Sequence, residues 1–269
     1  MKKIGFVDFY ISEWHANNYP AWIKEASDAM GDSFEVAYAW AEQDLSPVYN
    51  ETTDEWCEKF GVKRCATIEE LCEKSDYIVI LSPSNPEKHL GYAEKVLTYG
   101  KNTYIDKTFA PDYETAKKIF DIAEANGTRF FSSSALRYGT ELDGLEADRV
   151  ETTGGGGNIA EYIIHQAEMV VKVLRREPMG VTVTKTENGY ACEATFEGGK
   201  SAKMTYAPKM SFTLAADGGE PQNISSDYFK LLIADILRFF NEGVASFDTN
   251  ETLKVMKLRE AVVREVERL

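Results

Sequence analysis

Four polar residues, Glu161, His165, Glu168 and Lys172, follow one another at steps of four, three and four in a segment with helical periodicity. Helical geometry places residues at this spacing on one stripe of the helix surface. A histidine there can act as a general base, because its imidazole titrates near neutral pH, and a nearby carboxylate can orient the ring. We interpret Glu168 and Lys172 as a solvated polar face. Glu161 can also cap its own helix, because Asn158-x-x-Glu161 has the spacing of a capping box.

The turn after the first strand contains no glycine, although its position is that of a dinucleotide-binding turn. Residues 8–13 read Asp-Phe-Tyr-Ile-Ser-Glu, whereas such a turn requires Gly-x-Gly-x-x-Gly so that backbone amides approach the pyrophosphate. Side chains obstruct that approach, and Asp8 and Glu13 repel phosphate when they are ionised. We therefore expect NAD or NADP to bind more weakly than in a glycine-turn protein, or to sit displaced from the first strand.

Strand-like and helix-like segments alternate through the first half of the chain. Lys3–Phe9 is strand-like, Tyr19–Met30 is predicted to be a helix, and Asp76–Ser82 is a nearly continuous apolar run. Such a run is typical of a strand that is covered on both faces of a parallel sheet. Repeated strand–helix units of about 25–35 residues predict an α/β fold with a doubly wound parallel sheet.

The pattern changes after about Leu136. Four glycines, Gly154–Gly157, precede a helix predicted from Ile159 to Leu174, and alternating apolar runs separated by turns then predict an antiparallel meander. Two further helices are predicted to close the chain. We therefore predict a first domain over residues 1–136 and a smaller α+β domain with a mostly antiparallel sheet over residues 137–269.

Two segments carry a resemblance to a known family. In residues 76–110 a buried strand, a loop, a helix ending in Gly-Lys and a second strand precede Asp106-Lys107-Thr108, and the loop carries Ser82, Asn85 and His89. This segment resembles the nucleotide domain of the Gfo/Idh/MocA oxidoreductases, in which Glu-Lys-Pro stands where Asp106-Lys107-Thr108 stands here. In the second segment, Gly156-Gly157 precedes Glu161 and His165 at the family's spacing, with Glu161 in place of the usual aspartate.

The resemblance implies a Rossmann-type first domain and an oxidoreductase that uses NAD or NADP on a sugar, a polyol or a related hydroxy compound. It implies that Lys107 hydrogen-bonds the reacting hydroxyl, that His165 accepts its proton and that Glu161 supports the histidine. We expect Lys107 and His165 to face one cleft between the domains. A homo-oligomer is also implied. The residues expected to contact the cofactor are Ser82, Asn85, His89, Asp106 and, at the end of the second strand, Trp40 or Glu42.

Composition excludes several classes of partner. The net charge is −14 and the isoelectric point is near 4.8, so the surface repels phosphates on average, and we predict neither nucleic-acid nor membrane binding. No apolar run approaches the ~20 residues of a membrane span. The N-terminus lacks the layout of a signal peptide, which predicts a cytoplasmic location. The four cysteines fit neither a redox pair nor a zinc knuckle, and we expect reduced, mostly buried thiols.

Two alternative functions remain open at this point. The glycine-free turn is compatible with a non-redox protein of the same fold that binds a small polar ligand as a sensor or partner subunit. A metal-assisted lyase or isomerase could use Glu161, His165 and Glu168 as oxygen and nitrogen ligands. We favour this second alternative less, because polar stripes on helices are common, and we predict no metal site.

Overall fold

The computed structural model describes all residues, Met1–Leu269, and the chain divides by its contacts into two units. The first comprises Met1–Ser132 and Lys230–Thr249, and the second comprises Ser133–Phe229 and Asn250–Leu269. The first stretch of the first unit ends at Ser132, four residues before the predicted boundary between residues 136 and 137. In addition, Lys230–Thr249 returns to the first unit after the chain has formed most of the second.

The first unit is built on a six-stranded sheet in which every pair of neighbouring strands is parallel. The spatial order is β3-β2-β1-β4-β5-β6, so the order reverses between β1 and β4. This arrangement confirms the predicted doubly wound sheet and is the Rossmann order, in which ligands bind beyond the carboxyl ends of the strands at the reversal. The strands are β1 (Lys2–Asp8), β2 (Phe34–Ala41), β3 (Lys63–Arg64), β4 (Tyr77–Ile80), β5 (Thr103–Ile105) and β6 (Phe130–Phe131).

Five helices connect these strands, and their ends follow local sequence signals. Thr52 and Glu55 form a capping box at the start of the second helix, and Gly61 ends it in the left-handed conformation. Asp112 caps the fifth helix and Gly127 ends it in the same way. The helices are α1 (Trp14–Ala29), α2 (Thr53–Phe60), α3 (Ile68–Lys74), α4 (His89–Val96) and α5 (Tyr113–Asn126).

The first helix begins five residues earlier than the sequence predicted. α1 starts at Trp14 rather than at Tyr19, and Pro20 lies inside it. Glu13 is the N-cap, because its side chain accepts hydrogen bonds from the amides of His15 and Ala16. The turn between β1 and α1 is therefore only five residues long, and Glu13 is its last residue.

The second unit contains a six-stranded mixed sheet in the order β12-β11-β7-β10-β9-β8. Only the pair β7 and β10 is parallel, and the other neighbours are antiparallel. The predicted mostly antiparallel sheet is thus confirmed. Its elements are β7 (Arg149–Gly154), α6 (Ile159–Leu174), β8 (Pro178–Lys185), β9 (Tyr190–Phe196), β10 (Ser201–Tyr206), β11 (Thr213–Ala216), β12 (Gln222–Asn223) and α8 (Glu251–Val266). Between β12 and α8 the chain forms α7 (Tyr228–Glu242), most of which belongs to the first unit.

Most of α7 packs on the parallel sheet of the first unit. The ring of Phe240 stacks on Tyr77 of β4 at 4.7 Å between centroids, and Phe239 meets the edge of Phe131 of β6 at 5.0 Å. Burying two large aromatic side chains contributes several kcal/mol. This long-range packing is the reason that residues 230–249 join the first unit.

The predicted bounds of α6, Ile159–Leu174, are confirmed. Asn158 caps the helix by accepting a hydrogen bond from the Glu161 amide, and twelve of its sixteen residues are buried. The preceding glycines allow close backbone approach, because a Cβ on Gly155 would lie 2.0 Å from the Ala207 carbonyl oxygen. No helix in the chain is both long enough and apolar enough to cross a bilayer.

Candidate functional site

The Asp8 carboxylate lies at the point where the strand order of the parallel sheet reverses. Its Oδ1 accepts hydrogen bonds from the Phe9 amide at 2.7 Å and from the amide and hydroxyl of Ser82, both at 3.0 Å. The Ser82 hydroxyl also accepts from the Phe9 amide at 2.9 Å. Asp8 is 1% exposed, and its Oδ2 has no hydrogen-bond partner. Burial raises the pKa of Asp8 well above its ordinary value, and the nearby charge of Glu13 raises it further.

The Glu13 carboxylate occupies the amides at the start of α1. Oε1 accepts from the Ala16 amide at 2.5 Å, and Oε2 accepts from the His15 amide at 2.8 Å. Asp8, Tyr10 and Glu13 have the spacing of the three glycines in Gly-x-Gly-x-x-Gly. The residue at the third glycine position therefore places a carboxylate on the amides that bind pyrophosphate in a glycine turn.

The His15 ring lies between two carboxylates. Its Nδ1 is 3.1 Å from Glu13 Oε2, and its Nε2 is 3.8 Å from Asp106 Oδ2. Asp106 follows β5 and is 1% exposed, and its Oδ1 accepts from the Tyr104 hydroxyl at 3.1 Å and from the Lys107 amide at 2.8 Å. These contacts make a buried acidic cluster that favours cations and hydrogen-bond donors over anions.

Lys107 lies directly after Asp106, at the carboxyl end of β5. Its side chain is half-buried, and its ammonium makes no hydrogen bond or ion pair. The peptide bond between Lys107 and Thr108 is cis. An ammonium without an internal partner at this edge of the sheet can hydrogen-bond a ligand hydroxyl and stabilise negative charge on its oxygen.

The end of β2 is spanned by an ion pair. The Glu42 carboxylate accepts from the Lys88 ammonium at 2.6 Å and from the Tyr92 hydroxyl at 2.8 Å. The hydrogen bond from Lys88 lowers the pKa of Glu42. Lys88 also lies 4.5 Å above the Phe9 ring, and Trp40 meets the edge of Tyr92 at 5.7 Å. The Glu42 carboxylate is thus hydrogen-bonded within the protein.

The other residues predicted to contact the cofactor take different positions. Asn85 is partly exposed, and its side-chain amide donates to Glu87 at 3.1 Å. His89 is fully buried, with Nδ1 3.0 Å from the Phe109 carbonyl and Nε2 2.5 Å from the Leu81 carbonyl. Burial lowers the pKa of His89. His89 therefore joins the segments that follow β4 and β5, and it presents no ring nitrogen at the surface.

In the second unit, His165 on α6 lies against Ser134. The ring Nδ1 is 2.6 Å from the Ser134 hydroxyl, which also accepts from the Leu136 amide at 3.2 Å. The edge of the Phe212 ring packs 5.5 Å from the imidazole. His165 is 8% exposed, so its ring orientation is set by the serine and the aromatic contact.

The remainder of the α6 stripe has structural contacts. The Glu161 carboxylate accepts a hydrogen bond from the Asn158 side-chain amide at 3.2 Å, a contact between side chains and not the backbone contact of a capping box. Glu168 is buried. Its carboxylate accepts hydrogen bonds from the Arg137 guanidinium and from the Ser134 amide, both at 3.2 Å. Lys172 donates to the Arg137 carbonyl at 2.8 Å. Glu168 is therefore not on a solvated face, which corrects that interpretation: the buried Arg137 draws it inward.

The Arg137 guanidinium is shared between two carboxylates, those of Glu168 and Glu251. Burial raises the pKa of Glu168, and the positive charge of Arg137 opposes that shift. Because Glu168 is committed to this network, it does not join Glu161 and His165 as a ligand set. No cluster of three or more His, Cys, Asp or Glu side chains is arranged to hold a metal ion.

Comparisons with known proteins extend this description. A model of the Gfo/Idh/MocA family, described as an oxidoreductase family with an NAD-binding Rossmann fold, matches residues 29–134. The match covers the strands and loops that carry Ser82, Asp106 and Lys107. Residues 29–134 are thus similar to the Gfo/Idh/MocA family, and the match begins at Ala29, the last residue of α1.

Sequence relatives and solved structures give further similarities. "Uncharacterized oxidoreductase YhhX" of Escherichia coli is 22% identical over 138 residues, which are 50% of this chain and 36% of that protein. The chain thus matches about a third of the length of this relative. UDP-N-acetylglucosamine 3-dehydrogenase GnnA of Acidithiobacillus ferrooxidans is similar in fold, with a TM-score of 0.74, 13% identity and coverage of 99% and 98% of the two chains. Biliverdin reductase of Synechocystis, solved with biliverdin and NADP+, has a TM-score of 0.73, 14% identity and coverage of 98% of each chain.

The NAD cofactor named in that family description does not fit the first turn of this chain. The amides of Phe9, His15 and Ala16 already donate to side chains of the protein, and buried carboxylates stand at two of the three glycine positions. The Glu42 carboxylate, at the end of β2, is paired with Lys88.

Sequence reasoning missed three residues with functional contacts, Ser134 in the second unit and Glu13 and His15 in the first. Ser134 follows β6 in the run Ser132-Ser133-Ser134, and such a polar run after a strand of an α/β sheet is the signal that could have indicated it. Glu13 was considered only as a repulsive charge. Its capping role, and the place of His15, depend on where α1 begins, and that start was predicted five residues too late.

Proposed function

We propose that this chain is an oxidoreductase that acts on a hydroxyl group of a sugar, a polyol or a related hydroxy compound. The observation that carries the proposal is the Lys107 ammonium, which has no internal partner and stands at the carboxyl end of β5. Its proposed role is to hydrogen-bond the substrate oxygen and to stabilise the alkoxide that forms when the hydroxyl proton leaves.

His165 is the proposed acceptor of that proton. In the tautomer that this role requires, Nδ1–H donates to the Ser134 hydroxyl oxygen and Nε2 keeps its lone pair for the proton. The serine oxygen has two lone pairs, so it can accept from both His165 and the Leu136 amide. Ser134 is thus a proposed positioning residue. Glu161, in the first turn of α6, is proposed to add negative potential near the imidazole.

NAD or NADP is the cofactor class that the matching family description supports. Because the first turn does not fit the pyrophosphate, we propose that this chain binds NAD or NADP with low affinity. The sugar-nucleotide dehydrogenase of similar fold supports a carbohydrate-like substrate. Asn85 and Trp40, which are partly exposed near the ends of β4 and β2, are the remaining proposed cofactor contacts.

A second candidate function is favoured by the closed first turn. A protein that binds a small polar ligand without redox chemistry has no need of a pyrophosphate site, and Glu13 fills that site here. The two candidates share the fold and the ligand class but differ in whether electrons are transferred.

An absorbance assay at 340 nm separates the two candidates. The protein is incubated with NAD+ or NADP+ at several millimolar and with a panel of sugars and polyols, and ligand binding is followed in parallel by calorimetry. Reduction of the cofactor that depends on one of these compounds supports the oxidoreductase. Binding of a compound by calorimetry without any reduction supports the non-redox protein.

Location and assembly are proposed on separate observations. All four cysteines are buried free thiols, as is typical of a reducing compartment, and we propose the cytoplasm. We propose a homo-oligomer because β8 presents Met179, which is 66% exposed, on the edge strand of the mixed sheet. Light scattering coupled to size-exclusion chromatography measures the molar mass against 30.2 kDa for one chain.

A further inference from the structure

The start of α1 is closed by a group that belongs to the protein. Both oxygens of the Glu13 carboxylate accept backbone amides, from Ala16 and from His15, and Oε2 also faces the His15 ring at 3.1 Å. Glu13 is 6% exposed. An anion at the start of a helix is stabilised by unpaired amides and by the helix dipole, whether it is a bound phosphate or a carboxylate of the chain.

The rest of the turn is also hydrogen-bonded internally. The Phe9 amide donates to Asp8 Oδ1 and to Ser82, and the Phe9 carbonyl accepts from the Gln43 amide at 2.7 Å. The Ser12 hydroxyl donates to Glu51 at 2.6 Å. The segment after β2 therefore holds the turn in place, and Glu13 has buried neighbours that fix its position.

We infer that the Glu13 carboxylate acts as an internal ligand in the anion site that the pyrophosphate of a dinucleotide takes in a glycine turn. The ADP half of NAD(P) must then compete with a side chain that is covalently part of the site. Tight binding of an adenine dinucleotide at this turn is excluded for as long as Glu13 caps α1. This inference does not depend on the proposed substrate or on Lys107.

Calorimetric titration with ADP tests the inference, because ADP contains the pyrophosphate and adenosine but no nicotinamide. We expect Glu13→Gly to bind ADP at least tenfold more tightly than the unmodified protein. Glycine is itself an acceptable N-cap residue, so the helix is retained. Glu13→Gln keeps the side-chain volume and one acceptor oxygen, so its ADP affinity should increase less than that of Glu13→Gly. Glu58→Gln, on the exposed surface of α2, is the matched control and should leave ADP binding unchanged.

Three results would overturn the inference. One is low-micromolar binding of ADP to the unmodified protein, and another is equal ADP affinity in Glu13→Gly and the unmodified protein. The third is an equal gain in Glu13→Gln and Glu13→Gly, since charge repulsion rather than occupation of the amides would then explain the effect. Thermal unfolding followed by circular dichroism verifies that each variant is folded. ADP affinity is read independently of turnover, so failure here leaves the proposed oxidoreductase activity to be decided by its own assay.

Discussion

Asp8 and Ser82 are joined by two hydrogen bonds of 3.0 Å, one from the serine amide and one from its hydroxyl, both to Asp8 Oδ1. The pair links the end of β1 to the segment after β4, where the strand order of the sheet reverses. In Rossmann folds this crevice receives the ligand. Here a buried carboxyl group occupies its base, and this has consequences for both stability and binding.

The buried Asp8 is predicted to make stability pH-dependent. Its pKa is raised in the folded state, so the folded protein holds the proton more tightly than the unfolded chain. Stability then falls as pH rises above the ordinary aspartate pKa, until the raised folded pKa is passed. Asp8→Asn removes this loss. The difference in melting temperature between Asp8→Asn and the unmodified protein should therefore increase as the pH rises from about 4 to 8, by roughly 2 °C or more. Asp121→Asn, at an exposed position, should show no such increase. A difference in melting temperature between the two proteins that stays constant over this pH range would contradict the prediction.

Lys107 is predicted to be required for turnover. Lys107→Ala removes the ammonium proposed to stabilise the alkoxide, and kcat should fall by about 100-fold or more. Lys118→Ala, which removes an exposed lysine of α5, should leave kcat unchanged. Initial rates at saturating hydroxy substrate provide the comparison. Full activity in Lys107→Ala would remove Lys107 from the proposed mechanism.

Ser134 is predicted to position His165. His165→Ala should lower kcat by about 100-fold or more. Ser134→Ala should lower kcat less, by about tenfold, and should shift the pH profile, because the histidine tautomer is no longer fixed by its 2.6 Å partner. Ser134→Thr keeps the hydroxyl and should recover most of the rate. An unchanged pH profile in Ser134→Ala would show that the serine has only a packing role.

Arg137 is predicted to be essential for stability of the second unit. It is buried and paired with Glu168 and Glu251. Arg137→Met would leave two carboxylates with no cationic partner, and about 3–5 kcal/mol of unfolding free energy should be lost. Arg149→Met, which breaks only an exposed pair with Glu151, should cost about 1 kcal/mol or less. Urea denaturation of both variants measures the difference, and similar losses would contradict the prediction.

Local signals were sufficient to predict much of this fold. The period of apolar residues and the Asn158 cap predicted both ends of α6 correctly, and the apolar run at residues 76–82 predicted β4. The start of α1 was predicted too late because it depends on the Glu13 cap, and Glu13 was interpreted only as a charge in the turn. The return of residues 230–249 to the first unit depends on aromatic contacts far apart in sequence, which no local pattern encodes.

The candidate site was less predictable than the fold, because side-chain partners decide it. The sequence indicated Lys107 and His165 as chemically competent residues, but it gave no sign that His89 lies fully buried between two carbonyl oxygens. The sequence also showed that the glycines of the first turn are missing, but not which group occupies the amides that would bind a phosphate. The Glu13 carboxylate occupies them, because it points toward the amides of His15 and Ala16.

The central claim is that this chain keeps a Rossmann fold while its own side chains occupy the pyrophosphate site. A fluorescence titration of the unmodified protein with NADH and NADPH tests it most directly. We predict weak binding of both cofactors, with half-saturation at about 1 mM, which corresponds to a binding free energy of about −4 kcal/mol. Saturation at low-micromolar concentrations of either cofactor would contradict the account, because the turn between Asp8 and Glu13 would then have to accept the dinucleotide as it stands.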